Sequence, residues 1–191
     1  MRPFALIICL AVLIAIPASS YAIGIEVGLG AWQQDPQGNI AYRGADIDLE
    51  KDLKYDAEAR VIGRVKIDMP LFIPNIYLMY TPMSFAGAGS KDASFTFGNQ
   101  TFTANVPITS ELTLDHYDIA LFYGIPFLRT ATAGVLNVDV GLNARIIDFK
   151  AKLDQNSLNF HESKSMTLPV PMVYVGAQIK PIKKVAIEAE A

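Results

Sequence analysis

Apolar and polar residues alternate with a period of two along most of the chain after residue 22, most clearly over 137–146. Val138, Val140, Leu142, Ala144 and Ile146 take every second position there, and Asn137, Asp139, Gly141, Asn143 and Arg145 take the others. A period of two puts successive side chains on opposite faces of a strand, whereas a helix would scatter them around its axis. The same pattern predicts strands over 25–32, 60–69, 116–123, 173–180 and 184–190, and a less regular one over 76–81. Seven strands of membrane-spanning length result, since a tilted β-strand crosses a bilayer in roughly 9–11 residues.

The connections alternate between long and short. Segments 33–59, 82–110 and 154–165 are long and mostly polar, while 70–75, 125–134 and 181–183 are brief. Outer-membrane barrels are built this way, with extended loops outside and tight turns toward the periplasm. Pro70, Pro74, Pro126 and Pro181 fall in the short connections, where a missing N–H costs no ladder bond; Pro169 and Pro171 are expected at the start of their strand. Aromatic residues near strand ends (Trp32, Phe72, Tyr80, Phe85, Tyr123, Phe127 and Phe149) are expected to form interfacial girdles. Within the second long connection, residues 95–103 read as a small hairpin turning at Gly98-Asn99, its three phenylalanines favouring a folded cap.

The N-terminus changes the picture from fold to address. Met1-Arg2-Pro3 precedes an apolar run over 4–16, and Ser20-Tyr21-Ala22 has the small-x-small form of a cleavage site. This is the order of a secretory signal peptide, expected to be cut after Ala22, which divides the chain into a leader over 1–22 and a barrel domain over 23–191. The one cysteine, Cys9, would leave with the leader, excluding disulfides, thiol catalysis and thiolate metal sites. Loss of Arg2 takes the formal charge from −3 to −4, which argues against a nucleic-acid partner. Hydrophobic residues make up 51% of the chain, yet no helix-length apolar run follows the leader. A closed barrel is the other structure able to satisfy its backbone in lipid.

Alternation alone leaves two orientations, a membrane barrel with its aliphatic face outward and a soluble lipocalin-like barrel with an apolar lumen. The mixed charges and glycines of the polar face favour the membrane form. Glu26, Arg60, Arg64, Lys66, Asp118, Asp139, Arg145 and Glu188, with Asp68 and Glu190, then point inward. In so narrow a lumen they are expected to form a salt-bridged polar network. The two histidines, His116 and His161, have no partner at ligand spacing, so neither a metal nor another cofactor is expected.

Over residues 23–191 the chain resembles the small outer-membrane β-barrel proteins of Gram-negative bacteria, the eight-stranded surface-barrel type. Ile25-Glu26-Val27-Gly28-Leu29-Gly30 and the strand over 138–146 carry the resemblance. It implies an all-β, antiparallel, up-and-down transmembrane barrel in the cell outer membrane, with outer-membrane lipid, lipopolysaccharide and the barrel-assembly machinery as partners. The chain departs from the pattern where such barrels finish on an aromatic residue: it stops at Glu188-Ala189-Glu190-Ala191. With its odd strand count, this leads to the expectation that a closing eighth strand is missing. The expected role is structural or surface-interacting, without catalysis. The alternative is a narrow, porin-like channel for small hydrophobic or ionic solutes. His161-Glu162-Ser163 bears a three-residue likeness to the His-x-Ser pair of lipid A deacylases, a lesser possibility.

Overall fold

The computed structural model describes residues 12–14, 23–70, 72–182 and 185–191. The expected leader over 1–22 lies outside them except for Val12–Ile14. Strands hold 67% of the residues and helices 4%, so the chain is all-β. The strands are β1 (Val12–Ile14), β2 (Gly24–Gln34), β3 (Asn39–Ile40), β4 (Ile47–Asp48), β5 (Glu58–Asp68), β6 (Asn75–Thr81) and β7 (Ser84–Gly89). They continue with β8 (Phe95–Phe97), β9 (Gln100–Phe102), β10 (Ile108–Gly124), β11 (Leu136–Gln155), β12 (Phe160–Ile182) and β13 (Val185–Glu190). A short helix, α1 (Leu128–Ala131), fills the turn between β10 and β11, and a 3₁₀ turn, Asn156–Leu158, joins β11 to β12.

One antiparallel sheet dominates, in the order β1-β2-β5-β6-β10-β11-β12-β13, with β7 continuing the β6 side of β10. Neighbours follow chain order, with β3–β4 inserted between β2 and β5 and β7–β9 between β6 and β10, as in an up-and-down meander, and the sheet curls into a half-barrel. All seven predicted strands are present. Their lengths are not as read: β10, β11 and β12 run for 17, 20 and 23 residues. The expected loop over 154–165 is therefore no loop, because β11 continues to Gln155 and β12 begins at Phe160 around the 3₁₀ turn. Pro169 and Pro171 accordingly sit well inside β12, not at its start, facing Ile146 and Ala144 of β11. Val175 exchanges its N–H and C=O with Ala191 on the β13 side. Residues of the same parity, including both prolines, direct their backbone groups to that edge, where a missing N–H breaks no β11 bond.

The inner face of the sheet changes character along its length. In the lower half it carries Glu26, Arg64, Lys66, Asp118, Asp139 and Arg145, while the outer face carries Ile25, Leu29, Val61, Leu121, Leu142 and Val173, each at least half exposed. In the upper half the same inner face turns apolar: Ile108 and Leu112 of β10 and Ala151 and Leu153 of β11 are buried. They pack with Ile47, Leu49, Leu53, Tyr55 and Phe85 and with Phe95, Phe97 and Phe102 of the β8–β9 hairpin. The hairpin turns at Gly98, whose φ of 65° suits glycine. The chain is thus a curled sheet with a folded apolar cap over one end.

The cap also corrects the aromatic girdle. Phe85 is buried in it, Phe149 packs against it, and Trp32 lies on the inner face of β2. Tyr80, Tyr123, Phe72 and Phe127 of the expected set, together with Tyr117, are the aromatics exposed on the outer side. Strand-end position does not determine the face; parity does.

Candidate functional site: a charged lumen beneath an apolar cap

Three inward-facing carboxylates converge on Arg64. The register pairs Gly28 of β2 with Arg64 of β5, and a Cβ at residue 28 would lie 2.7 Å from the Arg64 Nε. Glycine there lets the side chain lie flat on β2 and reach across the lumen. Its Nη1 donates to Glu190 at 2.7 Å, and its Nη2 donates to Glu26 at 3.1 Å and to Glu188. Lys66, two residues on, pairs with Glu190 and lies 3.8 Å from Glu188. Gln178 donates to Glu188, its neighbour across the β12–β13 ladder. The side chains of Arg64, Lys66 and Glu188 are 13%, 12% and 7% exposed, so these charges depend on one another for solvation. The network ties β13 to β5 and β2, elements far apart in the sheet order, and so braces the curl.

A second cluster lies on the β10–β11 wall. Asp118 faces Arg145 in the register and accepts from its Nε at 2.8 Å and its Nη2 at 3.1 Å, and from Asn143 Nδ2 at 2.7 Å. Beside these clusters Tyr77, Phe122 and Tyr174 form an aromatic layer with ring centroids 5.0 to 5.2 Å apart. Tyr77 and Tyr174 both donate to Glu190, at 3.0 and 3.4 Å.

Of the residues singled out from sequence, Glu26, Arg64, Lys66 and Glu188 come together, with Glu190, in the first cluster. Asp118 and Arg145 form the second. Asp139 stays apart, buried and held by Asn137 Nδ2 at 2.8 Å. Arg60 joins neither: it sits higher, paired with Glu58 and donating to the Ser84 carbonyl at 2.6 Å. Sequence reasoning missed Tyr77, Tyr174, Asn143 and Gln178. Tyr77 is far from Glu190 in the sheet order and only the curl brings it there, while Tyr174 meets it through the β12–β13 pairing.

His161 and Ser163 lie on β12, not in a loop, because the strand extends to Phe160. The acid absent from the sequence reading is Asp154, cross-strand from His161 and 2.7 Å from its Nδ1. Burial raises the Asp154 carboxyl, but hydrogen bonds from Lys152 and His161 outweigh it and hold the group below its ordinary value. The His161 Nε2 meets Asn159 at 3.2 Å, not Ser163. The arrangement is an anchored β-turn, without the nucleophile–base contact that acyl transfer requires. No metal-holding group of histidine and acidic residues occurs among the described residues.

No protein-family model, characterised protein or solved structure matches the chain. The functional reading rests on the geometry.

Proposed function

We propose that the chain is an outer-membrane β-barrel protein of structural or surface-interacting type, its lower half embedded in lipid and its cap held above the membrane. The observation that carries this is the reversal of polarity along single strands. On β11, Val140 and Leu142 face outward, 46% and 73% exposed, and their inward neighbours are Asp139, Gly141, Asn143 and Arg145. From Ile147 onward the inward residues are Ile147, Phe149, Ala151 and Leu153, and the outward ones are Asp148, Lys150 and Lys152. A wall that is apolar outside and charged inside suits hydrocarbon, and the opposite wall suits water. A lipocalin-type barrel would carry the second arrangement throughout.

On this reading the leader delivers the chain through the inner membrane, lipid and lipopolysaccharide surround the lower wall, and the assembly machinery inserts it. The cap presents the contact surface. The braced lumen favours this role over conduction, because the Arg64 and Asp118 clusters project paired side chains into its mid-section.

The test is the protein's demand for lipid. After expression with its leader, the protein is expected in the outer-membrane fraction. It should resist carbonate extraction and migrate faster unheated than boiled on a detergent gel. Recovery as a monodisperse monomer from detergent-free buffer would overturn the assignment.

A further inference from the structure

Among the charged clusters the half-barrel holds an open-sided cavity of about 580 Å³, lined by members of both clusters and by no residue of the cap, within the range of small-molecule sites, roughly 300–1,000 Å³. Much of its polar wall is already paired, with Arg64 Nη1 and Nη2 taken by three carboxylates and the tyrosine hydroxyls by Glu190, while Arg64 Nε and Asn143 Oδ1 are buried without a partner among the described residues. Arg145 differs. The almost fully buried Asp118, 2% exposed, takes its Nε and Nη2, while Arg145 itself is 34% exposed and lines the cavity. Its Nη1 has no hydrogen-bond partner among the described residues. A buried acid thus fixes the guanidinium on the wall and leaves one donor edge open.

Part of the cavity wall is apolar and adaptable. Met79, Met172 and Ile62 line the cavity, and unbranched thioethers mould to varied shapes. On the inner face of β12, Val170 lies directly across from Arg145, followed upward by Leu168 and Met166. The lining holds three carboxylates, Asp118, Glu188 and Glu190, against two guanidinium groups. A bound anion would therefore meet a net negative wall, and a cation would have to displace Arg64 or Lys66 from acids they already satisfy.

We infer that the cavity binds one small, neutral, mainly apolar molecule through a hydrogen-bond acceptor, such as a carbonyl oxygen, placed on Arg145. The site depends on the half-barrel geometry, not on the membrane assignment, so either can fail without the other.

Trp32, the sole tryptophan, lies on the inner face of β2 two residues beyond Gly30, which lines the cavity. Its fluorescence reports occupancy. The detergent-refolded protein would be titrated with three probes of similar shape: 2-acetonaphthone (neutral acceptor), naphthalene (no acceptor) and 2-naphthoate (anion). Saturable one-to-one quenching by 2-acetonaphthone is expected, with naphthalene at least tenfold weaker, as the loss of one hydrogen bond to a charged donor implies, and 2-naphthoate weaker because its charge meets the net negative wall. In the Asp118→Asn/Arg145→Gln double variant, which keeps a paired amide on the wall, 2-acetonaphthone should weaken to the level of naphthalene. Equal affinities for the three probes, quenching that never saturates, or unchanged binding in the double variant would each overturn the inference. Should the double variant not refold, the ranking of probes on the native protein still decides.

Discussion

Arg64 reaches carboxylates on two other strands, and its environment fixes what its loss should do. Removing a partner from a buried ion network costs more than the network itself contributes, about 3–5 kcal/mol, because the remaining charges stay desolvated. Arg64→Ala leaves Glu26, Glu188 and Glu190 with Lys66 as the one cation remaining in the cluster, and is expected to lower unfolding stability in urea by that amount. Arg64→Lys should lose less, since it keeps the charge but not the fork. A residue away, Gly28→Ala would place a methyl 2.7 Å from the Arg64 Nε and 2.9 Å from its Cγ. The side chain must lift off β2, so a loss of about 1–3 kcal/mol is expected. If Gly28→Ala is neutral, the close packing of Arg64 on β2 is wrong. At the rim, Asp154 has a lowered carboxyl pKa. A carboxyl lowered on folding contributes stability above its unfolded value of about 3.9, and that contribution disappears as pH falls through the folded value. The upper end of the β11–β12 hairpin should therefore weaken below about pH 4. Hydrogen exchange of its amides should show less acid dependence in Asp154→Asn than in the native chain.

Among the elements, the β8–β9 hairpin makes the cap a folded body. Phe97 and Phe102 are 1% and 0% exposed, and Phe95 stacks on Phe102 at 5.2 Å. Phe102→Ala should cost about 3–5 kcal/mol by cavity creation, concentrated in the cap. Limited proteolysis is expected to cut residues 90–105 quickly while the lower strands stay protected. At the turn, Gly98→Ala faces both a positive φ of 65° and the Glu162 Oε1 2.5 Å from the new methyl; it should loosen the hairpin in the same assay. The sequence made this hairpin legible because Gly98-Asn99 and the flanking phenylalanines are local signals. It did not make β10, β11 and β12 legible to their full length, for a physical reason. Period-two alternation reveals a strand only while one face keeps one environment. On β11 the adjacent apolar pair Ile146-Ile147 marks the point where the apolar set passes from the outer face to the inner one, and the alternation breaks there although the strand continues to Gln155. The misassigned girdle aromatic Phe149 follows from that phase change; Phe85 lies on β7, and the expected loop over 154–165 includes a stretch of β12, residues 161–165, that is polar on both faces. The lumen was readable as a list of inward residues, since parity gives the face. Which of them meet was not, because Arg64–Glu190 and Tyr77–Glu190 span the curl and no local pattern encodes them.

For the molecule as a whole, the phase change sets a boundary, and its position can be measured. The outward apolar stretch over 138–146 rises about 27 Å along the strand at ~3.4 Å per residue, or about 20 Å along the membrane normal at a ~40° tilt. An outer-membrane barrel presents an apolar band of roughly 25 Å, so this stretch covers most of one. Spin labels test where the band ends. With Cys9 replaced by serine, single cysteines at Val140, Leu142, Asp148 and Lys150 place four labels on the outer face of one strand, two on each side of the boundary. In proteoliposomes, labels at 140 and 142 should collide with oxygen and be shielded from a water-soluble nickel chelate. Labels at 148 and 150 should show the reverse, with the crossover between residues 144 and 148. Equal chelate access at all four sites would mean that the exposed aliphatic wall is not in lipid, and the half-barrel would then need a protein partner to cover it. Leu142→Arg supplies the energetic counterpart: at mid-wall in lipid it should cost about 2–4 kcal/mol, whereas Asp148→Arg, two positions beyond the crossover, should be tolerated. The two measurements depend on different properties of the same strand, solvent access and the cost of burying a charge. Agreement on one boundary would make the reversal of polarity a membrane surface.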